Sequence, residues 1–247
     1  MRNLAARRSP LAVMAIACVV CLSPRAHAQS GTLFGDWKIQ IIDRLGHTEV
    51  ESFRVGPTNR MGVRLHDGNN SLGQAAVVEI PSSTIATALT LPSGWTFSTA
   101  TMTNGNGASC GWSDASGWAG ISPIYWSSNS SFTRIADTVN NFTVGKAWAL
   151  NSSGVTVGEL AQNLTSEKRP LAYSPGIPEL VRLDRGGLDQ GVADAVNNAG
   201  VVVGHTYLTD GSSGRIVTWT PDNQGSYLSS LPVTISGWPT DRTGFAV

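Results

Sequence analysis

The strongest constraint on this chain is an internal period of about 46 residues. A period of a few tens of residues marks small units that bury their apolar faces only by stacking on one another. Ala147-Trp148-Ala149-Leu150-Asn151-Ser152-Ser153-Gly154-Val155-Thr156-Val157-Gly158 aligns with Ala193-Asp194-Ala195-Val196-Asn197-Asn198-Ala199-Gly200-Val201-Val202-Val203-Gly204 at an offset of 46. The same offset lays Arg169 to Pro175 on Arg215 to Pro221, so the register survives a loop of unrelated sequence. An upstream shift of 47 brings Ala100, Asn104, Gly107, Cys110-Gly111 and Pro123-Ile124-Tyr125-Trp126 under the template. A diverged copy is expected to open at Asn59-Arg60-Met61-Gly62-Val63 and a further one at Asp241, which spaces the turns 45, 47, 46 and 44 residues apart.

Each Asn-x-x-Gly predicts a β-turn, with Asn capping the turn through its side-chain oxygen and Gly tolerating a left-handed backbone. Short alternating runs flank it and predict a hairpin of half-buried strands. An aromatic at Trp126, Tyr173 and Trp219 ends a third strand, and Glu179 to Leu183 and Tyr227 to Leu231 supply a fourth. Helical periodicity is absent beyond the N-terminal segment. The prediction is an all-β fold of four-stranded repeats, read as a β-propeller. Dividing the 219 residues from Gln29 to Val247 by the period gives just under five blades. Phe34 to Ile42 and Val50 to Arg54 lack a complete repeat of their own, and are expected to join Gly244 to Val247 in a composite blade that closes the ring and leaves no exposed sheet edge. An open β-repeat array is the alternative.

The pattern Ala-x-Ala-Val-Asn-Asn-Ala-Gly-Val-Val-Val-Gly, preceded by Leu183-Asp184-Arg185-Gly186-Gly187-Leu188, resembles the bacterial extracellular HAF repeat family. The likeness is clearest in the last two copies. The family's His-Ala-Phe is replaced here by Arg169-Pro170-Leu171 and Arg215-Ile216-Val217, so the resemblance is to a divergent member. It implies an exported, propeller-like protein and no particular reaction.

The N-terminal segment points the same way. Arg2, Arg7 and Arg8 precede an apolar stretch from Leu11 to Leu22, and Ala26-His27-Ala28 offers small residues for cleavage. The stretch is too short to span a bilayer, which takes around 20 residues. The expected product is a soluble domain of residues 29–247, secreted or periplasmic. Its 13 Lys and Arg against 17 Asp and Glu leave a net charge of −4, which disfavours nucleic acid and anionic membranes. Only Cys110 remains after cleavage, so no intramolecular disulfide is available.

Catalytic signatures are missing: there is no Gly-x-Ser-x-Gly, Ser-x-x-Lys, phosphate-binding glycine loop or His-Glu-x-x-His. No metal or cofactor is expected, since His47, His66 and His205 show no ligand spacing. Asp184, Asp189 and Asp194, and the Asp210-Gly211-Ser212-Ser213-Gly214 turn, read as polar loops before cation sites. Cys110 replaces the Val157 and Val203 of later copies and reads as a small buried residue.

One position keeps its place while its residue type changes. The residue after the second-strand Gly is Trp112, Glu159 and His205, with Asp67 as the upstream counterpart. Equivalent positions in a ring share a rim, so these residues are candidates for one pocket, with Trp112 as a stacking platform for a sugar. Trp118, in an insertion-like loop, is a further candidate for carbohydrate or protein contact. The expected function is a binding or adhesion module for extracellular glycan or protein partners. The alternatives are a secreted hydrolase or lyase using Glu159 and Asp67, and a self-associating surface protein.

Overall fold

The computed structural model of the chain describes residues 31–33, 37–39, 45–55, 59–67, 73–79, 86–91, 93–114, 120–177, 180–222, 227–229 and 233–235. Residues 1–28, which the sequence leads one to expect as an export signal, together with Trp118 and the closing residues 244–247, lie outside these. Among the described residues there is no helix, and the fold is all-β.

A short hairpin, β1 (Gly31–Leu33) and β2 (Trp37–Ile39), precedes four antiparallel four-stranded units. Unit 1 comprises β3 (Glu49–Val55), β4 (Arg60–His66), β5 (Gly73–Glu79) and β6 (Thr87–Ala88). Unit 2 comprises β7 (Phe97–Thr103), β8 (Ser109–Asp114), β9 (Ile121–Ser128) and β10 (Ser131–Arg134). Unit 3 comprises β11 (Val144–Leu150), β12 (Thr156–Ala161), β13 (Arg169–Tyr173) and β14 (Val181–Arg182). Unit 4 comprises β15 (Gln190–Val196), β16 (Val202–Tyr207), β17 (Gly214–Pro221) and β18 (Tyr227–Ser229). A last strand, β19 (Val233–Ile235), pairs with the opposite end of β17 on the edge that β18 uses. Units 1 and 2 touch edge to edge through a single parallel pair, Gly73 with Phe97.

The first hairpin of units 2, 3 and 4 is built identically. The Asn151 amide bonds the Val155 carbonyl at 3.0 Å and the Gly154 amide bonds the Asn151 carbonyl at 3.1 Å, closing a three-residue loop. Gly154 sits at φ 86°, and Gly107 and Gly200 match it at 89° and 82°. This is the type I turn followed by a left-handed residue that joins twisted strands, and it demands Gly or Asn at its last position.

Asn104 and Asn151 have a second role that the sequence does not announce. The Asn151 side-chain oxygen accepts from the Ser153 and Val155 amides, while its nitrogen donates to the Asn197 carbonyl of the next unit at 2.9 Å. Asn104 repeats the arrangement, donating to the Asn151 carbonyl at 2.9 Å. The turns of successive units are thus tied into a ladder by their own side-chain amides.

The ladder stands beside a face-to-face stack. Leu89, Ala100, Ile124 and Trp126 join units 1 and 2. Cys110, Tyr125, Ile135, Leu160 and Leu171 join units 2 and 3. Val157, Leu183, Val202, Val217 and Trp219 join units 3 and 4. The repeat period thus delivers one apolar layer per junction, as stacked units require.

Trp126 and Trp219 stand opposite Ser109 and Val202, the first residues of the neighbouring second strands, and Tyr173 stands opposite Thr156 in the same place. Both indoles are fully buried and donate to the connection entering their own unit, Trp126 to the Thr90 carbonyl and Trp219 to the Asp184 carbonyl, each at 2.8 Å. Trp219→Phe keeps most of the apolar contact but strands the Asp184 carbonyl. A loss of about 2 kcal/mol is expected, from the unmet acceptor and the smaller ring, with denaturant unfolding as the check.

Unit 1 corrects two expectations. Val50 to Arg54 do not belong to a fragment awaiting the C-terminus, because β3 opens a complete four-stranded unit. Asn59-Arg60-Met61-Gly62 is not a hairpin turn either: Arg60 to Gly62 lie inside β4, and Asn59 itself holds the left-handed position, at φ 60°. Asn is one of the few side chains that enters this region at little cost, and it stands here where the later units use Gly.

Candidate functional site

Trp112, Glu159 and His205 each follow the glycine of their unit's second strand, Gly111, Gly158 and Gly204. Opposite each glycine the first strand carries a β-bulge, at Thr101, Trp148 and Asp194, between residues that pair normally. A bulge leaves one residue outside the ladder and re-aims its side chain. Asp194 reaches His205 of its own unit in this way and Trp148 reaches Trp112 of the preceding unit, whereas the Thr101 hydroxyl reaches the Ala147 carbonyl of the next unit at 2.8 Å.

Asp67 does not share this position. In unit 1 the pair Ser52–Val63 precedes the bulge as Ala100–Gly111 does in unit 2, so the counterpart of Trp112 is Arg64. Asp67 lies past the end of β4, with its side chain 62% exposed, accepting from the Thr48 amide and facing His47 at 3.5 Å. The offset fails because Asn59-x-x-Gly62 imitates the turn motif without forming the turn.

Trp112 is not an open stacking platform. Only 7% of it is exposed, its ring meets Trp148 edge-on at 5.2 Å, and the Lys146 ammonium lies 4.8 Å from its centroid. The same ammonium stands 5.2 Å from the Trp148 ring, so one cation is held in the corner of two indoles.

His205 pairs through Nδ1 with the Asp194 carboxylate at 2.6 Å and stacks on Tyr207 at 5.7 Å. The Asp194 carbonyl accepts from Arg54 of unit 1 at 2.8 Å. Asp184 and Asp189 cap the Gly186 and Thr209 amides instead of converging with Asp194, and the Asp210 carboxylate caps the Ser212 amide. Among the described residues no group of three His, Cys, Asp or Glu side chains could hold a metal.

Cys110 is fully buried with the Thr101 hydroxyl 3.4 Å from its sulfur. Burial pushes its thiol up to about 12, well past the value for a free thiol. The folded protein should therefore resist iodoacetamide at neutral pH and react only once unfolded, as mass spectrometry of alkylated samples would report. The linkage has a definite sign. From pH 9.0 to about 12 the unfolded thiol loses its proton and the folded one keeps it, so stability falls as pH rises through that window.

Glu159 is different from these. Its side chain is only 6% exposed, yet it borders a cleft of about 210 Å³ formed with Lys146, Lys168, Ile121, Val144 and Leu164. The Glu159 carboxylate meets the Lys168 ammonium at 3.1 Å. Lys146 is directly opposite Glu159 in the β11–β12 ladder, and burial pulls its ammonium below the usual lysine range while Glu159 and Lys168 act on it with opposite signs. The cleft therefore offers two cations, one carboxylate and an apolar wall, and among the described residues Glu159 is the only acid on its lining.

A second cleft, of about 370 Å³, runs between units 2 and 3 along Arg134, Ile135, Tyr173, Ile177 and Leu180. Among its described lining residues Arg134 is the one cation, bonded to the Ser122 hydroxyl and the Thr143 carbonyl, and there is no acid to pair with it.

Lys146, Trp148 and Lys168 were not singled out by sequence, and Asp194 was read only with Asp184 and Asp189 as part of a polar loop. Their signal was available, because all four stand at aligned positions where the other copies carry different residues: Thr99 and Val192 for Lys146, Thr101 and Asp194 for Trp148. Compared with known proteins, the chain matches no protein-family model and no curated protein.

Proposed function

We propose that the chain is a secreted or periplasmic binding module, released by cleavage near Ala28. Its four-stranded units act as blades of a β-propeller of the HAF-repeat type, and its unrepeated residues receive extracellular glycan or protein partners. The observation that carries this reading is a division of labour. Asn, Gly and the third-strand aromatic, which recur, are consumed by turns, bulges and unit junctions. Lys146, Glu159 and Lys168, which do not recur, surround the cleft.

Two observations support a ring over an open array. Arg54 of unit 1 bonds the Asp194 carbonyl of unit 4, joining units 140 residues apart in sequence. Met61, Val63, Leu65 and Val78 of unit 1 are no more than 3% exposed, although they belong to no junction with unit 2. The hydrolase or lyase reading has less support, because Asp67 is absent from the cleft that Glu159 borders. A carboxylate pair for glycoside hydrolysis needs both acids within roughly 5 to 9.5 Å.

The test is a screen of the purified chain against arrayed glycans and immobilised extracellular proteins, run beside an assay for newly formed reducing ends. Saturable binding without release of reducing ends is expected. Turnover of a polysaccharide would overturn the reading in favour of the enzyme.

A further inference from the structure

Lys146 presents an electrostatic debt. Its ammonium is held between Trp112 and Trp148 at 4.8 and 5.2 Å from their centroids, and among the described residues it makes no hydrogen bond and no ion pair. The carboxylate opposite it in the ladder, Glu159, is turned to Lys168. Two lysines and one carboxylate therefore line the cleft, and the carboxylate pairs with only one of them. Burying a charge without a full partner is costly, and an anionic group entering the cleft would supply the missing partner.

The rest of the lining narrows that group's chemistry. Leu164, 64% exposed, stands with Ile121 and Val144 as an apolar wall. The Asn163 side-chain oxygen is taken by the Thr165 amide and hydroxyl, which leaves its nitrogen as a donor. Glu159 bonds Lys168 through Oε1, which leaves Oε2 as an acceptor. An acceptor beside two cations suits a ligand that carries hydroxyls as well as an anion. At about 210 Å³ the cleft is smaller than the roughly 300 to 1,000 Å³ typical of drug-sized ligands, which suits a single sugar unit.

We propose that this cleft is a subsite for one acidic sugar residue, with Lys146 and Lys168 facing its anionic group, Glu159 and Asn163 its hydroxyls, and Leu164 its apolar face. The inference rests on the binding-module reading and names the ligand class of that same site. The anionic group is a uronic carboxylate or a sulfate ester, both recognised by the same pair of lysines.

Calorimetric titration of the purified chain with trigalacturonate, its methyl-esterified neutral form and a sulfated galactan oligomer tests the proposal. Two variants are titrated beside it: Lys146→Met, which keeps the apolar stem, and Leu164→Asp, a change at an exposed position that leaves the core intact. At least one acidic oligomer should bind at least tenfold more tightly than the neutral one, and both variants should lose at least tenfold of that affinity. The tighter of the two acidic oligomers identifies the anion. Equal binding of acidic and neutral oligomers, or acidic binding that neither variant weakens, overturns the subsite and leaves the module reading standing. Binding only to an extracellular protein does the same. If neither glycan nor protein binds, both readings fall together.

Discussion

Gly158→Ala should cost at least about 4 kcal/mol, enough to unfold a domain whose whole stability is of order 5 to 15 kcal/mol. Gly158 pairs with Ala147 on one side and Leu171 on the other, and the bulge at Trp148 brings the β11 backbone down onto its Cα. An added Cβ would overlap the Lys146 carbonyl oxygen and stand 2.9 Å from the Ala147 Cα. These are backbone atoms in a paired strand, so no side-chain rotation relieves the clash, and β11 must part from β12. Gly111 and Gly204 face the Thr99 and Val192 carbonyls in the same way, and alanine there should be equally damaging. Equilibrium unfolding in guanidinium reports the loss, and a change below about 1 kcal/mol would mean that the bulge relaxes at little cost.

Asn151→Ala should cost about 3 to 4 kcal/mol. The substitution removes the acceptor that holds the Ser153 and Val155 amides and the donor that satisfies the Asn197 carbonyl, at a residue only 4% exposed. Each buried group left unmet costs roughly 1 to 3 kcal/mol, and water at the turn recovers part of it. Asn151→Asp separates the two roles, because it keeps the acceptor and deletes the donor, while setting a carboxylate against the Asn197 carbonyl. It should be no better than alanine if the ladder between units matters most, and close to wild type if the turn alone does. For a chain of this size a loss of 3 kcal/mol lowers Tm by roughly 6 to 12 °C.

Much of the scaffold was legible because it is repetitive. Asn-x-x-Gly marked the hairpins of units 2, 3 and 4, and Trp126, Tyr173 and Trp219 marked the third strand, since a turn residue and an alternating run carry their meaning locally. Unit 1 was misread for the same reason. Asn59 and Gly62 reproduce the motif's spacing by coincidence, and only the register of β3 on β4 reveals that Asn59 takes the left-handed position that Gly holds in later units. That one slip carried Asp67 into a position that Arg64 occupies.

The site was less legible because it is made from departures from the repeat and from contacts between units. Glu159 was picked out as a variable position, but its partner Lys168 lies across a loop, and Trp112 meets Lys146 and Trp148 only when units 2 and 3 stack. Trp112 reads as exposed when strand ends are assumed to be open. The neighbouring bulge covers it instead.

The proposed roles of scaffold and cleft are separated most directly by thermal unfolding of Lys146→Met with and without trigalacturonate or the sulfated oligomer. Methionine keeps an apolar contact with the two indoles and removes a poorly compensated charge, so the free variant should melt within about 2 °C of the parent chain. A ligand that binds only the folded state raises Tm by mass action. That rise should be present in the parent and lost in the variant. A free variant that melts many degrees lower would make Lys146 a structural residue, and an undiminished ligand shift would place the binding site elsewhere.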